Sequence, residues 1–228
     1  MKKIGIIGAM DLEVDALKVK LSDVKITTKA RMEFYEGTLN GTNVVVVSCG
    51  IGKVNEALCD LFGVTHIVNT GVAGSLDAKL DIGDFVISRD AIYHDFTCQA
   101  LNPAYIVGQV PGLAVRAFPA DEQLMAYAFT AADVACPGHA HLGTVASGDQ
   151  FVCSKDVKRK IVENTGALCT EMEGAAIAHG AYLNNIPFLV VRAISDKADG
   201  SAEMDYPTFE RAAALPSAKL VEALVAKI

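Results

Sequence analysis

The chain has 228 residues, 51% apolar and 21% charged, which suits one large α/β domain better than two small ones and allows a substantial core. Its 20 basic and 27 acidic residues leave a net charge of −7; an acidic surface repels phosphate backbones, so nucleic acid is not an expected partner. No apolar run reaches the ~18 residues of a membrane span, so no membrane association is expected.

Met1-Lys2-Lys3 has the charge of a signal n-region, but the apolar stretch behind it is short and Asp11 and Glu13 interrupt it. Ile4–Ile7 therefore reads as a buried first strand. A helix is predicted from about Asp11, with Leu12, Ala16 and Val19 along one face. Val24–Thr28, Glu33–Leu39 and Val44–Ser48 read as antiparallel strands, the last two joined by the hairpin signal Asn40-Gly41. Lys53–Phe62 reads as a helix, and His66–Thr70 as a strand leading into Gly71-Val72-Ala73-Gly74. Asp84–Ile92 is a further strand. Residues 94–118 carry Pro103, Gly108, Pro111 and Gly112 without periodicity and read as a long loop, a length often tied to function. Helix Asp121–Ala132, strand Leu142–Ala146, helix Lys155–Glu163, strand Ala167–Thr170, helix Gly174–Asn184 and strand Phe188–Ile194 follow. A last helix, Tyr206–Lys227, is expected to be disturbed at Pro216. The alternation predicts an α/β fold: a single domain over residues 1–228, with a mixed, mostly parallel central sheet flanked by helices.

The six cysteines lie scattered in apolar context with no C-x-x-C pair, which predicts reduced, mostly buried thiols in a cytoplasmic protein. His139 and His141 have no third ligand at a familiar spacing, so they read as strand or loop histidines and no metal is expected.

In α/β sheets, ligands bind beyond the carboxyl ends of the strands. Carboxylates and glycines gather there: Glu13 after the first strand, Gly71–Gly74 after the His66 strand, Asp149 after the Leu142 strand, Glu171 and Glu173 after the Ala167 strand, and Asp196 after the Phe188 strand. Gly5-Ile6-Ile7-Gly8 lacks dinucleotide-binding spacing. Gly50-Ile51-Gly52-Lys53-Val54 fails as a phosphate loop, because Val54 stands where a Ser or Thr must bind magnesium. Each acid has an ordinary reading of its own, as a first-turn helix charge or a turn residue; the set points to a site rim.

The ordered segments Gly5-Ile6-Ile7-Gly8-Ala9-Met10-x-x-Glu13, Ser48-Cys49-Gly50-Ile51-Gly52-Lys53, Asn69-Thr70-Gly71-Val72-Ala73-Gly74, Ser147-Gly148-Asp149-Gln150-Phe151, Glu171-Met172-Glu173-Gly174 and Val190-Val191-Arg192-Ala193-Ile194-Ser195-Asp196 resemble the 5′-methylthioadenosine/S-adenosylhomocysteine nucleosidases of the purine nucleoside phosphorylase-like superfamily. The resemblance runs from Lys3 to the C-terminal helix. It implies a nucleoside phosphorylase-like fold, a homodimer, adenine nucleosides as substrates and no cofactor. It implies that Asp196 is the general acid toward adenine N7 and Glu13 the base that activates water. Glu173 would accept the ribose 2′-hydroxyl with Met172 beneath the sugar, and Phe151 would stack on adenine while the Val152 backbone meets its edge. Ala73 and Gly74 would lie near the ribose, and Ser195 would hold Asp196. Met10, Ile51, Tyr105, Pro111 and Tyr206 would line the 5′-alkylthio pocket, part of it supplied by the partner's long loop. Val72 stands where many family members carry Ser, and Ala100 and Pro103 where larger side chains are common; these departures bear on substrate preference.

The chemistry accords with that set. Adenine leaves badly as an anion, so N7 needs a proton, while a second carboxylate activates water and a third steadies the cationic sugar. Three other readings stay open: a phosphate-dependent phosphorylase, a futalosine-type nucleosidase differing in the 5′-pocket, and a nucleoside-binding protein without catalysis.

Overall fold

A computed structural model describes residues 2–52, 62–199 and 201–228. Apart from Phe62, the helix expected at Lys53–Phe62 lies outside the described residues.

The chain opens with β1 (Lys3–Gly8) and α1 (Asp11–Lys18), followed by the meander β2 (Ser22–Lys29), β3 (Met32–Leu39) and β4 (Thr42–Ser48). Asn40 and Gly41 both take positive φ, 51° and 84°, as a two-residue hairpin with right-handed strand twist requires. β4 is four valines in a row, Val44–Val47, all buried, and such a run needs cover on both faces. It lies parallel to β1, which lies parallel to β5 (His66–Ser75).

β6 (Phe85–Tyr93), β7 (Phe118–Pro119), α2 (Glu122–Ala135), β8 (Ala140–Ser147), α3 (Lys155–Thr165), β9 (Cys169–Glu171), α4 (Gly174–Leu183), β10 (Phe188–Asp196) and α5 (Ala202–Val225) complete the fold. The Asp121 carboxylate caps α2 by accepting from the Leu124 amide at 2.9 Å. α3 stops at Gly166 in the left-handed conformation, φ 65°.

All the strands belong to one mixed sheet. Part of it closes: β5 pairs with β10, β10 with β6, β6 with β8, β8 with β9, and β9 returns to β5 at Gly74 and Ser75. The result is a five-strand ring carrying the arm β1-β4-β3-β2 on one side. Antiparallel pairing is not confined to the early meander, since β10–β6, β6–β7 and β5–β9 are also antiparallel. Helix α5 packs on β10, β5, α1 and α2.

Three expectations need correction. The strand expected to end at Thr70 does not stop there: β5 runs through Gly71–Gly74 to Ser75, because β10 pairs with it from Ile67 to Gly74. The last helix begins at Ala202 and continues through Pro216. Proline removes one amide donor there, but Ala213, Ala214, Ser217 and Ala218 are buried around it, and the Ser217 hydroxyl bonds Thr70 at 2.8 Å, so tertiary packing holds the helix. Of the described cysteines, Cys49 and Cys169 are buried, while Cys98, Cys136 and Cys153 are only partly so, because the latter three sit in or beside loops. His139 Nδ1 and His141 Nε2 both face Asp84, at 2.7 and 3.3 Å. No described helix is long and apolar enough to cross a membrane.

Candidate active site

The carboxyl ends of β1, β5, β9 and β10 surround a cavity of about 570 Å3. Glu13, Glu173 and Asp196 line it together with Met10, Ile51, Ala73, Gly74, Phe151, Val152, Met172, Ser195 and Tyr206. Those are the expected site residues, with two exceptions. Tyr105 and Pro111, in the long loop, do not line the cavity of their own chain, and neither do Ala100 and Pro103. Val72 does line it, and presents an aliphatic wall.

Glu13 sits in the first turn of α1 and reaches back beneath it. Its Oε2 accepts from the Ala9 and Met10 amides at 2.7 and 2.9 Å, and its Oε1 from the Val72 amide at 3.1 Å. Burial pushes its pKa up against the pull of Arg192 and these amides, which makes its carboxylate a stronger base. The approach requires glycine: a Cβ on Gly71 would stand 2.6 Å from Glu13 Oε1.

Asp196 ends β10 beside a bulge that re-aims the strand. Ser195 Oγ donates to its Oδ2 at 3.0 Å, and the Ala198 amide donates to Oδ1 at 2.8 Å. A Cβ on Gly74 would lie 2.7 Å from Oδ1, so β5 must be bare there. Behind the acid, Lys158 on α3 donates to the carbonyls of Ser75 and Lys197 at 2.7 and 2.6 Å. One ammonium thus ties the end of β5 to the residue after Asp196.

Beneath Glu173 lies a buried ionic group. Arg192, 1% exposed, donates to Glu171 and to Asn69 Oδ1, with Glu173 Oε2 4.0 Å away. The Glu171 carboxylate also accepts from the Ser147 hydroxyl and from the Glu173 and Gly174 amides. Burial opposes its charge, but Arg192 and Ser147 outweigh burial and hold its pKa below the ordinary value. Glu173 takes the opposite course. Burial, then the neighbouring Glu171 charge, push its pKa up to about 7 against Arg192 and the Gly52 amide, which donates to Oε1 at 2.8 Å.

The sign of that shift can be tested. Folded Glu173 keeps a proton that the unfolded chain releases near 4.5, so its contribution to stability is greatest below that value and is lost as pH rises through about 7. If Glu173 takes the sugar-facing place that the resemblance implies, activity runs the other way, because a charged carboxylate stabilises a cationic sugar. kcat/KM should therefore fall on the acid side of about pH 7, and Glu173→Gln should lower activity and remove that limb. A pH profile of the variant that keeps the limb would assign it to another group.

Phe151 is 46% exposed at the mouth and meets Tyr206 edge-on, with centroids 5.4 Å apart. The Tyr206 hydroxyl donates to Met10 Sδ at 3.4 Å, and these side chains give the outer cavity an apolar wall.

Residues 3–226 match the phosphorylase superfamily. Among curated relatives, the 5′-methylthioadenosine/S-adenosylhomocysteine nucleosidase of Staphylococcus aureus (strain MRSA252) is 42% identical, covering 99% of this chain and 100% of its own. The Staphylococcus haemolyticus protein of the same name is 39% identical over 97% and 98%. The Neisseria meningitidis nucleosidase solved with methylthio-immucillin-A superposes with a TM-score of 0.95, at 35% identity over all of both chains. The futalosine hydrolase of Helicobacter pylori superposes with 0.93, at 32% identity over 100% of this chain and 98% of that one. The chain belongs to the 5′-methylthioadenosine/S-adenosylhomocysteine nucleosidase family of that superfamily.

Sequence reasoning passed over Arg192, Ser147 and Lys158. For Arg192 a signal was present: a cation inside the apolar run Val190–Ile194 needs a counter-charge if that strand is buried, and the paired acids of Glu171-Met172-Glu173 supply it. Lys158 gave no signal, since it looks like any polar helix residue.

Proposed function

We propose that this chain hydrolyses the N-glycosidic bond of 5′-methylthioadenosine and S-adenosylhomocysteine, and of 5′-deoxyadenosine, releasing adenine and the 5′-substituted ribose. The observation that carries this reading is the meeting of Glu13, Glu173 and Asp196 around one cavity, each held by different partners. Asp196 gives its proton to N7 as the C1′–N9 bond breaks, so adenine leaves neutral. Water adds to C1′ and its proton passes to Glu13. Glu173 accepts from the ribose 2′-hydroxyl and balances the positive charge on the sugar, with Met172 beneath it. Phe151 stacks on the purine, and the Val152 backbone meets its edge.

Met10, Ile51 and Tyr206 hold the 5′-substituent, and in a homodimer Tyr105 and Pro111 of the long loop complete the partner's pocket. The reaction needs no cofactor, and its place is the cytoplasm. No described residue lining the cavity is Lys or Arg, while four carry carboxyls: Glu13, Glu171, Glu173 and Asp196, an arrangement that disfavours phosphate as nucleophile. The likeness to the Helicobacter pylori futalosine hydrolase gives a second reading, in which only the 5′-substituent differs.

Adenine release from methylthioadenosine, with and without phosphate, tests the proposal, with futalosine and AMP assayed in parallel. Equal rates with and without phosphate are expected, and no cleavage of AMP, whose phosphate would enter an apolar pocket unpaired. Ribose 1-phosphate forming only when phosphate is added would overturn the hydrolase reading. Futalosine cleaved faster than methylthioadenosine would select the second.

A further inference from the structure

Thr170 has no role in the scheme above, and its environment is unusual. It is 5% exposed and lines the cavity. Its Oγ1 is buried with no hydrogen-bond partner among the described residues. Native proteins seldom leave a buried hydroxyl unpaired, because the lost hydration costs about 1–3 kcal/mol.

Its position in the sheet suggests what the hydroxyl serves. β9 pairs with β5 so that Thr170 stands opposite Gly74, and β10 pairs with β5 so that Asp196 stands opposite Gly74. Residues paired across strands project from the same face of a sheet. Thr170 stands on the face of Gly74, and Asp196, re-aimed by the bulge, brings Oδ1 within 2.7 Å of where a Gly74 Cβ would be, so the two flank Gly74 on one face. Two strand spacings separate their Cα atoms by roughly 9–10 Å. A purine lying between them turns one long edge toward each side chain. N7 lies on one of those edges and N3 on the other.

We propose that Thr170 is a further substrate-binding residue, whose hydroxyl donates to purine N3 while Asp196 engages N7. The inference rests on the adenine-nucleoside reading of the cavity. Rotation about the Thr170 Cα–Cβ bond exchanges the hydroxyl with a methyl of similar size, so the donor turns into the cavity without repacking. The bond grips the base by the edge that the acid leaves free, and it sets the ring's rotation in the plane over Gly74. A base with a carbon in place of N3 forgoes it.

The test compares Thr170→Val, which keeps shape and removes the hydroxyl, with Thr170→Ser, which keeps the hydroxyl. Dissociation constants are measured by calorimetry for adenine and for 3-deazaadenine, in which CH replaces N3. Thr170→Val should weaken adenine binding about five- to tenfold, the worth of one hydrogen bond, and should change 3-deazaadenine binding less than about twofold. Thr170→Ser should bind adenine within about threefold of the wild type. Unchanged adenine binding in Thr170→Val, or an equal loss for both bases, overturns the proposal. Adenine release from methylthioadenosine by the wild type is measured alongside. Its absence would sink the hydrolase reading, whereas Thr170 is decided by the base-binding comparison alone.

Discussion

Asp196→Asn is expected to give a folded protein that releases adenine about 10²–10⁴-fold more slowly than the wild type, with the loss in kcat and little change in KM. The amide keeps an oxygen for the Ala198 amide that now bonds Oδ1, and its nitrogen can donate to the Ser195 hydroxyl that now bonds Oδ2. The side chain therefore has its anchors without a proton to give. The loss belongs at the upper end of the range because adenine is a poor leaving group until N7 is protonated. Adenine release at saturating substrate and the dissociation constant of adenine are the two measurements. A kcat within tenfold of the wild type would remove Asp196 from the acid's role.

The second large effect is on stability. Glu171→Gln should destabilise the fold by about 3–5 kcal/mol, the usual cost of removing one partner from a buried ion pair. Arg192 would stay buried with Asn69 and with Glu173 at 4.0 Å. The same substitution has a second readout. The Glu171 charge helps to raise the Glu173 pKa, so its removal should move the acid limb of the activity profile to lower pH. Urea unfolding and a pH profile separate the two effects. A midpoint like that of the wild type would show that Glu171 and Arg192 are not a tightly held pair.

Much of the frame was legible before any coordinates. Asn40-Gly41 marked its hairpin, the unbroken aliphatic run Ile4–Ile7 marked a buried first strand, and Asp121 marked a helix start, because each of these rests on local chemistry. Glu13, Glu173 and Asp196 were legible as part of an acidic rim from their places after the strands, and the resemblance singled them out among its acids. What could not be read depended on residues far apart in the chain. Gly71–Gly74 looks like a turn, since no local signal says that Glu13 and Asp196 press so closely on that strand that a side chain would collide with them. Thr170 looks like an ordinary strand residue until its register beside Gly74 is known. Pro216 looks like a helix breaker because the buried alanines around it gain their packing only from distant strands. Ring closure is invisible for the same reason: β5 and β10 find each other across a long intervening chain.

That closure has a consequence for the birth of the protein. Glu13 emerges well before Asp196 in synthesis, and the strand pairing that brings them together is highly non-local, the kind that forms slowly. A ribosome-bound chain lacking β10 has an open ring and lacks the cavity wall that Ser195 and Asp196 supply, so nucleoside has nothing complete to hold. Metabolite therefore cannot chaperone the early stages. Its binding energy adds to the stability of the finished enzyme alone, and quality control in the cell must handle the unclosed chain without help from the molecule it is made to cleave.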